Sequence, residues 1–316
     1  MLKLKVAVLG CGKRSGAHLK ALRSFDDVDL VAVCDPVKEN RARRRAEFEV
    51  AKGYADLADL LTDEPLDAAI VVTPPHLNAK VSQPCLEAGV NTLMEKPPGL
   101  DIEETIALRD TAARTGAKGM VGWNRRFDPF LLQARQIVLE RGPVTQLVGE
   151  FHKSTKGIEA EGVFHESVMD KLLLESPIHT IDAVCAMSGS IAVEVHGLVR
   201  RATTPYRDVH TGIIQFENGC VGTIISNYTT GVRLERYEIH GDEVSCYLEG
   251  IRSGVAYVQG EKTVLEADPT VGAVNQMRYF LDCVKEDRPI EQPAANLDTA
   301  IDTMEVALKI LNSVRN

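Results

Sequence analysis

The N-terminal third of the chain alternates between short apolar runs and amphipathic segments. The apolar runs are Leu4–Leu9, Asp29–Cys34, Ala68–Val72, Val90–Met94 and Lys118–Gly122. The segments between them carry apolar residues at helical spacing. Continuous apolar strands between amphipathic helices are typical of a parallel sheet that helices cover on both faces. The pattern therefore predicts an α/β domain with a doubly wound parallel sheet over residues 1–122.

After Asn124 this alternation stops, and longer strand-like stretches replace it. Residues 193–265 read as an antiparallel meander in which Asn218-Gly219, between two strand-like runs, is the strongest hairpin signal. A final helix is predicted from apolar residues at helical spacing over residues 297–311. The sequence predicts a second, α+β domain over residues 123–316, joined to the first without a glycine-rich linker.

Composition and charge exclude several classes of protein. The 316 residues are 44% hydrophobic and 26% charged, with a net charge of -9, which argues against nucleic acid or an anionic membrane as the main partner. No apolar run approaches the roughly 20 residues that cross a bilayer. The first strand follows the N-terminus without a signal peptide, and the seven cysteines form no Cys-x-x-Cys pair. We therefore expect a cytoplasmic protein with reduced thiols and no metal site.

A glycine-rich turn follows the first strand. Gly10 allows a tight turn, and Gly12 allows the backbone to approach a pyrophosphate on the N-terminus of the next helix, where free N–H groups favour anions. Ser15 holds the usual third glycine position, with Gly16 one residue later. The predicted cofactor contacts in this segment are Gly10, Gly12, Lys13, Arg14 and Ser15.

Asp35 ends the second strand, where an acid hydrogen-bonds the adenosine ribose hydroxyls of a dinucleotide. A carboxylate there repels a 2′-phosphate, which favours NAD over NADP. The alternative is that Asp35 only caps the turn ahead of Pro36. The arginines at 41, 43, 44 and 45 alternate with glutamates, which predicts a solvated helix face. These arginines and Arg14 are able to accept a phosphate, so NADP stays an alternative.

Lys96 is the best single clue to chemistry. It lies in Glu95-Lys96-Pro97, at the carboxyl end of the strand Val90–Met94. A lysine in this position of a parallel sheet points into the crevice where ligands bind. We expect Glu95 to be a structural partner of a backbone group or an arginine, and His18 to be a packing or surface residue.

Four segments together resemble the Gfo/Idh/MocA family of oxidoreductases. They are Gly10-Cys11-Gly12 with Asp35, Thr73-Pro74-Pro75, Glu95-Lys96-Pro97, and the segment Gly122-Trp123-Asn124-Arg125-Arg126-Phe127-Asp128-Pro129. The resemblance implies an N-terminal Rossmann domain and a C-terminal domain with a large open antiparallel sheet. We expect the last helix to pack near the junction of the two domains. In the family this sheet commonly forms the oligomer interface, so we expect a homodimer or homotetramer.

The resemblance also implies site residues. Inositol-dehydrogenase-like members carry a catalytic Asp-x-x-x-His motif, and here Glu175 replaces the aspartate ahead of His179. Asn78 stands where the family often has a histidine. The further cofactor contacts implied are Thr73, Pro74, His76, Glu95 and Lys96, and the implied substrate contacts are Glu175, Trp123, Asn124 and Arg125.

Oxidation of a secondary alcohol requires a base at the hydroxyl and a cation that steadies the alkoxide. We assign His179 as the base, because histidine exchanges a proton near neutrality, and Lys96 as the orienting cation. Ser176-Pro177 is expected to be the N-cap and first position of a helix, with Asp182 orienting the His179 ring.

The favoured function is an NAD-dependent dehydrogenase acting on a cyclic polyol, sugar or sugar derivative. One alternative is a glycosidase that retains NAD and uses transient oxidation. The other alternative is a non-catalytic NAD-binding regulator, against which the presence of both Lys96 and His179 argues.

Overall fold

The computed structural model describes residues 3–156 and 165–313. Its contacts divide the chain into two compact units. One unit contains the chain up to Gly122 together with Val274–Ala300, and the other contains Trp123–Ala273 and the chain from Ile301 onward. Among the described residues, no helix is both long enough and apolar enough to cross a membrane.

The first unit contains a six-stranded parallel sheet. Its strands are β1 (Leu4–Leu9), β2 (Val28–Cys34), β3 (Lys52–Tyr54), β4 (Ala68–Val71), β5 (Asn91–Met94) and β6 (Gly119–Val121). They lie in the order β3-β2-β1-β4-β5-β6, and every neighbouring pair is parallel. This is the strand order of a dinucleotide-binding doubly wound sheet, and it confirms the predicted fold class.

Five helices alternate with these strands. They are α1 (Ser15–Arg23), α2 (Lys38–Glu47), α3 (Leu57–Asp63), α4 (Asn78–Glu87) and α5 (Ile102–Thr115). Asp56 and Asp101 begin α3 and α5, and each carboxylate accepts a hydrogen bond from a first-turn N–H group. The central strands β1 and β4 are buried along most of their length, as expected for a sheet with two covered faces.

The second unit contains an eight-stranded sheet. Its strands are β7 (Gln146–Ser154), β8 (Ala192–Arg200), β9 (Val209–Phe216), β10 (Val221–Asn227), β11 (Thr229–Gly241), β12 (Val244–Glu249), β13 (Ser253–Val258) and β14 (Glu261–Leu265). They lie in the order β14-β13-β12-β11-β7-β10-β9-β8. The predicted hairpin at Asn218-Gly219 is confirmed, since β9 and β10 pair as neighbours across this turn.

The prediction of an uninterrupted meander over residues 193–265 is wrong at one place. Strand β7 lies between β10 and β11, parallel to β10 and antiparallel to β11. Hydrophobic alternation identifies the buried face of each strand but not its neighbours, so the sequence did not reveal this insertion.

Helices cover one face of this sheet. Among the described residues, the helices that follow the first sheet are α6 (Pro129–Leu139), α7 (Glu166–Met169), α8 (Ile178–Ser188), α9 (Gly272–Lys285) and α10 (Leu297–Leu311). Those that contact the eight-stranded sheet are α6, α8 and the end of α10. A Cβ added at Gly149 would come within 2.3 Å of Thr180, and one at Gly212 within 2.4 Å of Ile310. The small residues of the sheet therefore allow α8 and the end of α10 to pack closely on it.

The other face of the eight-stranded sheet carries a continuous cross-strand row. In register order the row is His196, Ile213, Thr223, Val148, Glu238, Tyr247, Val255 and Val264. The side chains of Ile213 and Val264 remain 51% and 62% exposed, although both are apolar. On the chain as it stands alone, this row is therefore a solvent-facing stripe in which apolar residues outnumber the polar His196, Thr223 and Glu238.

Candidate functional site

The carboxyl ends of three parallel strands meet at one edge of the first sheet. Leu9 of β1 pairs with Val71 of β4, and Val71 pairs with Met94 of β5. The glycine-rich turn follows β1, and Lys96 follows β5, so both emerge at this edge. In a doubly wound sheet, ligands bind in the crevice outside the carboxyl ends of the strands.

The two turn glycines occupy different surroundings. Gly10 has a φ of +96°, and an added Cβ would lie 2.2 Å from the carbonyl oxygen of Val72. Gly10 is therefore required by the fold itself. A Cβ added at Gly12 would meet no described atom within 4 Å. The open space at Gly12 fits a ligand that approaches the backbone closely.

Two arginines of α2 hold the carbonyl groups of this turn. Arg43 donates to the Cys11 oxygen over 3.1 Å. Arg44 donates from one nitrogen to the oxygens of Gly12, over 2.8 Å, and Lys13, over 3.1 Å. The prediction that these arginines form a solvated helix face is therefore wrong for Arg44, which is only 8% exposed. The charge alternation of α2 did not reveal which arginine faces the sheet.

Three N–H groups of the same turn have no protein acceptor in the part of the chain that the structure describes. Within the described ranges, no hydrogen-bond acceptor contacts the N–H groups of Gly12, Lys13 or Arg14. Helix α1 begins after Arg14 without a capping side chain. Unbonded N–H groups at a helix N-terminus form a site that suits an anion.

Ser15 and Asp35 form hydrogen bonds with backbone groups of the turn. The Ser15 hydroxyl donates to the Gly12 oxygen over 2.8 Å and is fully buried. One Asp35 oxygen accepts from the Cys11 N–H over 2.6 Å, and the other accepts from the Val37 N–H over 2.8 Å. Asp35 thus makes the turn-capping bond that was the alternative reading of this residue. Its carboxylate keeps lone pairs for further donors, so this bond does not remove a ribose contact.

Asn78 fixes the segment that carries Lys96. Its amide nitrogen donates to the oxygens of Glu95, over 3.0 Å, and Pro97, over 2.8 Å. The hydroxyl of Thr73 donates to the Asn78 oxygen over 2.7 Å, which fixes the orientation of the amide. The backbone is therefore anchored on both sides of Lys96. Sequence reasoning treated Asn78 only as a departure from a histidine and missed this role.

We expected Glu95 to pair with a backbone group or an arginine. Its carboxylate accepts from the backbone N–H of Lys96 over 3.3 Å, and its other partner is His18 rather than an arginine. The His18 Nε2 and the Glu95 carboxylate are 3.0 Å apart. Burial raises the pKa of Glu95, but the hydrogen bond with His18 and the charges of His18, Lys96 and Arg14 outweigh it and lower this pKa to about 2. Glu95 is therefore an anion at neutral pH among several cationic groups. Two other predicted residues lie at this edge: Pro74 precedes the 3₁₀ turn Pro75–Leu77, and His76 lies within it.

In the second unit, Glu175 is buried among polar partners. The Tyr228 hydroxyl donates to Glu175 over 2.9 Å, and Lys153 lies 3.3 Å from the same carboxylate. Burial, followed by the charge of Glu175, raises the pKa of Tyr228 well above its ordinary value, so the tyrosine is a neutral donor. Lys153 lies in β7, and Tyr228 lies between β10 and β11. Sequence reasoning did not identify either residue, because both are distant in sequence from Glu175.

His179 lies in the first turn of α8, as predicted, but two details of that prediction are wrong. Pro177 rather than Ser176 is the residue that precedes the helix. Asp182 does not orient His179, because its carboxylate accepts from Arg126, over 2.7 Å, and from Thr303, over 3.2 Å. Asp182 is fully buried, and its partner is the guanidinium of Arg126 rather than the ring one helical turn away.

The segment that begins the second unit is mostly buried. Trp123 is fully buried, and Arg125 makes a two-fold ion pair with Glu235, with distances of 2.7 and 2.8 Å. Asn124 accepts a hydrogen bond from Arg125 over 2.9 Å and is partly exposed. The guanidinium of Arg125 is therefore held by a carboxylate of its own unit, and substrate contacts at these three residues remain predictions.

Comparison with known proteins places the chain in a family. A model described as an oxidoreductase family with an NAD-binding Rossmann fold matches residues 4–123. A model of the GFO/IDH/MocA C-terminal domain matches residues 133–246. Together the two models cover well over half of the chain.

Three similar proteins span nearly the same length. The NAD(+)-dependent scyllo-inositol 2-dehydrogenase of Bacillus subtilis is 26% identical, over 99% of this chain and 95% of its own. The D-apiose dehydrogenase of Paraburkholderia graminis is 24% identical, over 90% and 81%. The structure of UDP-N-acetylglucosamine 3-dehydrogenase from Acidithiobacillus ferrooxidans superposes with a TM-score of 0.85 at 21% identity, over 99% and 98%, which shows a shared fold. The chain is a member of the GFO/IDH/MocA oxidoreductase family, with an N-terminal NAD-binding Rossmann domain.

Proposed function

We propose that this protein is an NAD-dependent dehydrogenase that oxidises a secondary alcohol of a cyclic polyol, sugar or sugar derivative, or reduces the matching ketone. The observation that carries the proposal is that the glycine-rich turn and the anchored Lys96 segment share one edge of the parallel sheet. The named activities of the inositol and apiose relatives support this substrate class.

The cofactor site is proposed at the glycine-rich turn. The N–H groups of Gly12, Lys13 and Arg14 hold the pyrophosphate, and Asp35 accepts from the adenosine ribose. The open space at Gly12 and the uncapped start of α1 support this assignment. Thr73, Pro74, His76 and Glu95 are proposed to line the same edge beside the nicotinamide half.

The acid–base work is proposed for Lys96 and His179. NAD, when bound, accepts the hydride that leaves the alcohol carbon. His179 removes the hydroxyl proton, and the Lys96 ammonium steadies the negative charge that develops on the oxygen. Asn78 contributes by holding the backbone on both sides of Lys96, which limits the positions that the ammonium reaches. Glu175, Trp123, Asn124 and Arg125 are proposed as the substrate-facing surroundings of His179.

NAD is proposed as the preferred dinucleotide. Each arginine of α2 that we considered for a 2′-phosphate already donates to a carbonyl of its own unit. Arg41 donates to Asp35, Arg43 to Cys11, and Arg45 to Val50. A 2′-phosphate would have to displace such bonds and would approach the Asp35 carboxylate.

The exposed stripe on the eight-stranded sheet is proposed to join copies of this chain into a homodimer or homotetramer. Apolar side chains such as Ile213 and Val264 gain free energy when they leave water, and a sheet face offers a flat, self-complementary surface.

Incubation with NAD and a panel of inositols, aldoses and sugar acids tests the activity, with accumulation of reduced nicotinamide as the measurement. We expect at least one compound to be oxidised. Lys96→Met and His179→Asn should each lower turnover by ~10²-fold or more, as loss of a positioned acid–base group does. Lys80→Met, on the exposed surface of α4, is the control and should retain turnover. Wild-type rates in both site variants, or release of free sugar without net nicotinamide reduction, would contradict the proposal.

The two turn glycines should separate folding from cofactor binding. Gly10→Ala places a side chain against the Val72 carbonyl at a left-handed φ, so we expect the free energy of unfolding to fall by at least about 1–2 kcal/mol. Gly12→Ala should leave unfolding nearly unchanged but weaken NAD affinity about tenfold or more, because a pyrophosphate hydrogen bond of about 1.5–3 kcal/mol is obstructed. Urea unfolding and calorimetric titration measure the two effects. Undiminished NAD affinity in Gly12→Ala would argue against the turn as the binding site.

The role of Asp35 is tested by the ratio of the NAD and NADP affinities rather than by either alone. Loss of the bond to the Cys11 N–H affects both cofactors equally, whereas loss of a ribose contact and of charge repulsion changes the ratio. We expect the wild-type protein to bind NAD at least about tenfold more tightly, and Asp35→Asn to narrow this difference. An equal loss for both cofactors would leave Asp35 as a turn cap only.

Sedimentation velocity tests the assembly. We expect the wild-type chain to sediment as a dimer or tetramer, and Ile213→Glu to shift it toward smaller species, because a charge would be buried in the interface. Leu132→Glu, at an exposed apolar position of α6, is the matched control. A monomeric wild-type protein would refute the proposed interface.

A further inference from the structure

Arg44 is a charged side chain buried behind the glycine-rich turn. Its Nη2 donates to the oxygens of Gly12 and Lys13, and its Nε donates to the Ser15 hydroxyl over 3.1 Å. Its Nη1 pairs with the carboxylate of Glu47, which is about half exposed. Three of its contacts are therefore with residues 12–15, where the turn passes into α1.

These contacts fix the direction of two peptide groups. In a trans peptide, the C=O bond and the N–H bond of the next residue point in opposite directions. When Arg44 binds the oxygens of Gly12 and Lys13, the N–H groups of Lys13 and Arg14 must face away from α2. Arg43 acts in the same way on the Cys11 oxygen and the Gly12 N–H. The two arginines thus turn three successive N–H groups toward the ligand side.

The charge of Arg44 also strengthens these donors. A cation that binds a carbonyl oxygen draws electron density through the peptide and makes its N–H group a stronger hydrogen-bond donor. The guanidinium is shielded from solvent at 8% exposure, so its field is screened less than that of a surface arginine. Its positive charge lies on the far side of the turn from an anion, and it favours that anion's binding.

Gly16 provides the space that Arg44 occupies. A Cβ added at Gly16 would lie 2.9 Å from the Nη1 of Arg44 and 3.2 Å from its central carbon. Gly16 is a helical residue of α1, where alanine is favoured over glycine by roughly 1 kcal/mol. The glycine is therefore unfavourable for the helix itself, and its presence is explained by the guanidinium beside it.

We propose that Arg44 is a positioning residue for the cofactor: seated against Gly16, it orients and polarises the N–H groups that bind the pyrophosphate, without touching the cofactor itself. The proposal rests on the pyrophosphate site proposed above. It identifies a residue of α2, outside the glycine-rich motif, as a determinant of dinucleotide affinity.

Two measurements test the proposal: calorimetric titration with ADP-ribose and thermal unfolding of the free protein. ADP-ribose contains the pyrophosphate but not the nicotinamide. Arg44→Met should weaken ADP-ribose binding about tenfold or more. Arg44→Lys should weaken it less, because a lysine keeps the charge but cannot span two carbonyls with a fixed fork. Arg45→Met is the matched control, since Arg45 lies next to Arg44 in α2 but donates to Val50 and Ala51 instead.

Gly16→Ala separates positioning from stability. The added methyl group displaces the guanidinium while the helix gains propensity, so affinity should fall at least about fivefold with a melting temperature no lower than that of Arg45→Met. If Arg44 only stabilised the fold, the affinity for ADP-ribose would fall only in variants whose melting temperature also falls.

The proposal is overturned if Arg44→Met binds ADP-ribose like the wild type, or if Arg45→Met loses as much affinity. These outcomes are distinct from failure of the underlying site. If Gly12→Ala also retains full affinity, the turn itself does not bind the pyrophosphate, whereas a loss in Gly12→Ala alone removes only the role of Arg44.

Discussion

The direction of three peptide groups after β1 is the constraint on which the proposed cofactor site depends. Arg43 and Arg44 of α2 bind the carbonyl oxygens of this turn, and Asp35 binds the N–H group of Cys11. The oxygens of Cys11, Gly12 and Lys13 and the N–H group of Cys11 are thereby engaged by the protein. The N–H groups of Gly12, Lys13 and Arg14 have no protein acceptor among the described residues, and N–H groups at a helix N-terminus suit an anion.

The same edge of the sheet carries the Lys96 segment, whose backbone is also held by side chains. Asn78, oriented by Thr73, holds the carbonyl groups on both sides of Lys96, and the pair of His18 and Glu95 adds an anion beside it. These polar neighbours of Lys96 belong to the Rossmann unit. Preorganisation of this kind is what allows a charged group to stabilise charge that develops during a reaction.

The architecture was predicted from the sequence more accurately than the individual side-chain contacts were. Apolar periodicity identified both sheets and the hairpin at Asn218-Gly219, since these features depend on local patterns. It missed the short edge strand β3, which has no apolar run, and the insertion of β7 between β10 and β11. The errors at Arg44 and Asp182 share a cause. Both are charged residues that local spacing assigned to solvent or to a near neighbour, whereas a distant polar partner in the fold decides their position. The roles of Lys96 and His179 stay proposals that rest on chemistry and family resemblance.

The most direct test of this account is a nuclear magnetic resonance titration of the ¹⁵N-labelled protein with NAD, in which each backbone N–H group reports its own hydrogen bonding. The account predicts large shifts for Gly12, Lys13 and Arg14. It also predicts that the Gly10 and Cys11 N–H groups remain protected from exchange with and without NAD, because the Cys34 oxygen and Asp35 already accept from them. Saturation with NAD that leaves the Gly12, Lys13 and Arg14 resonances unchanged would contradict it.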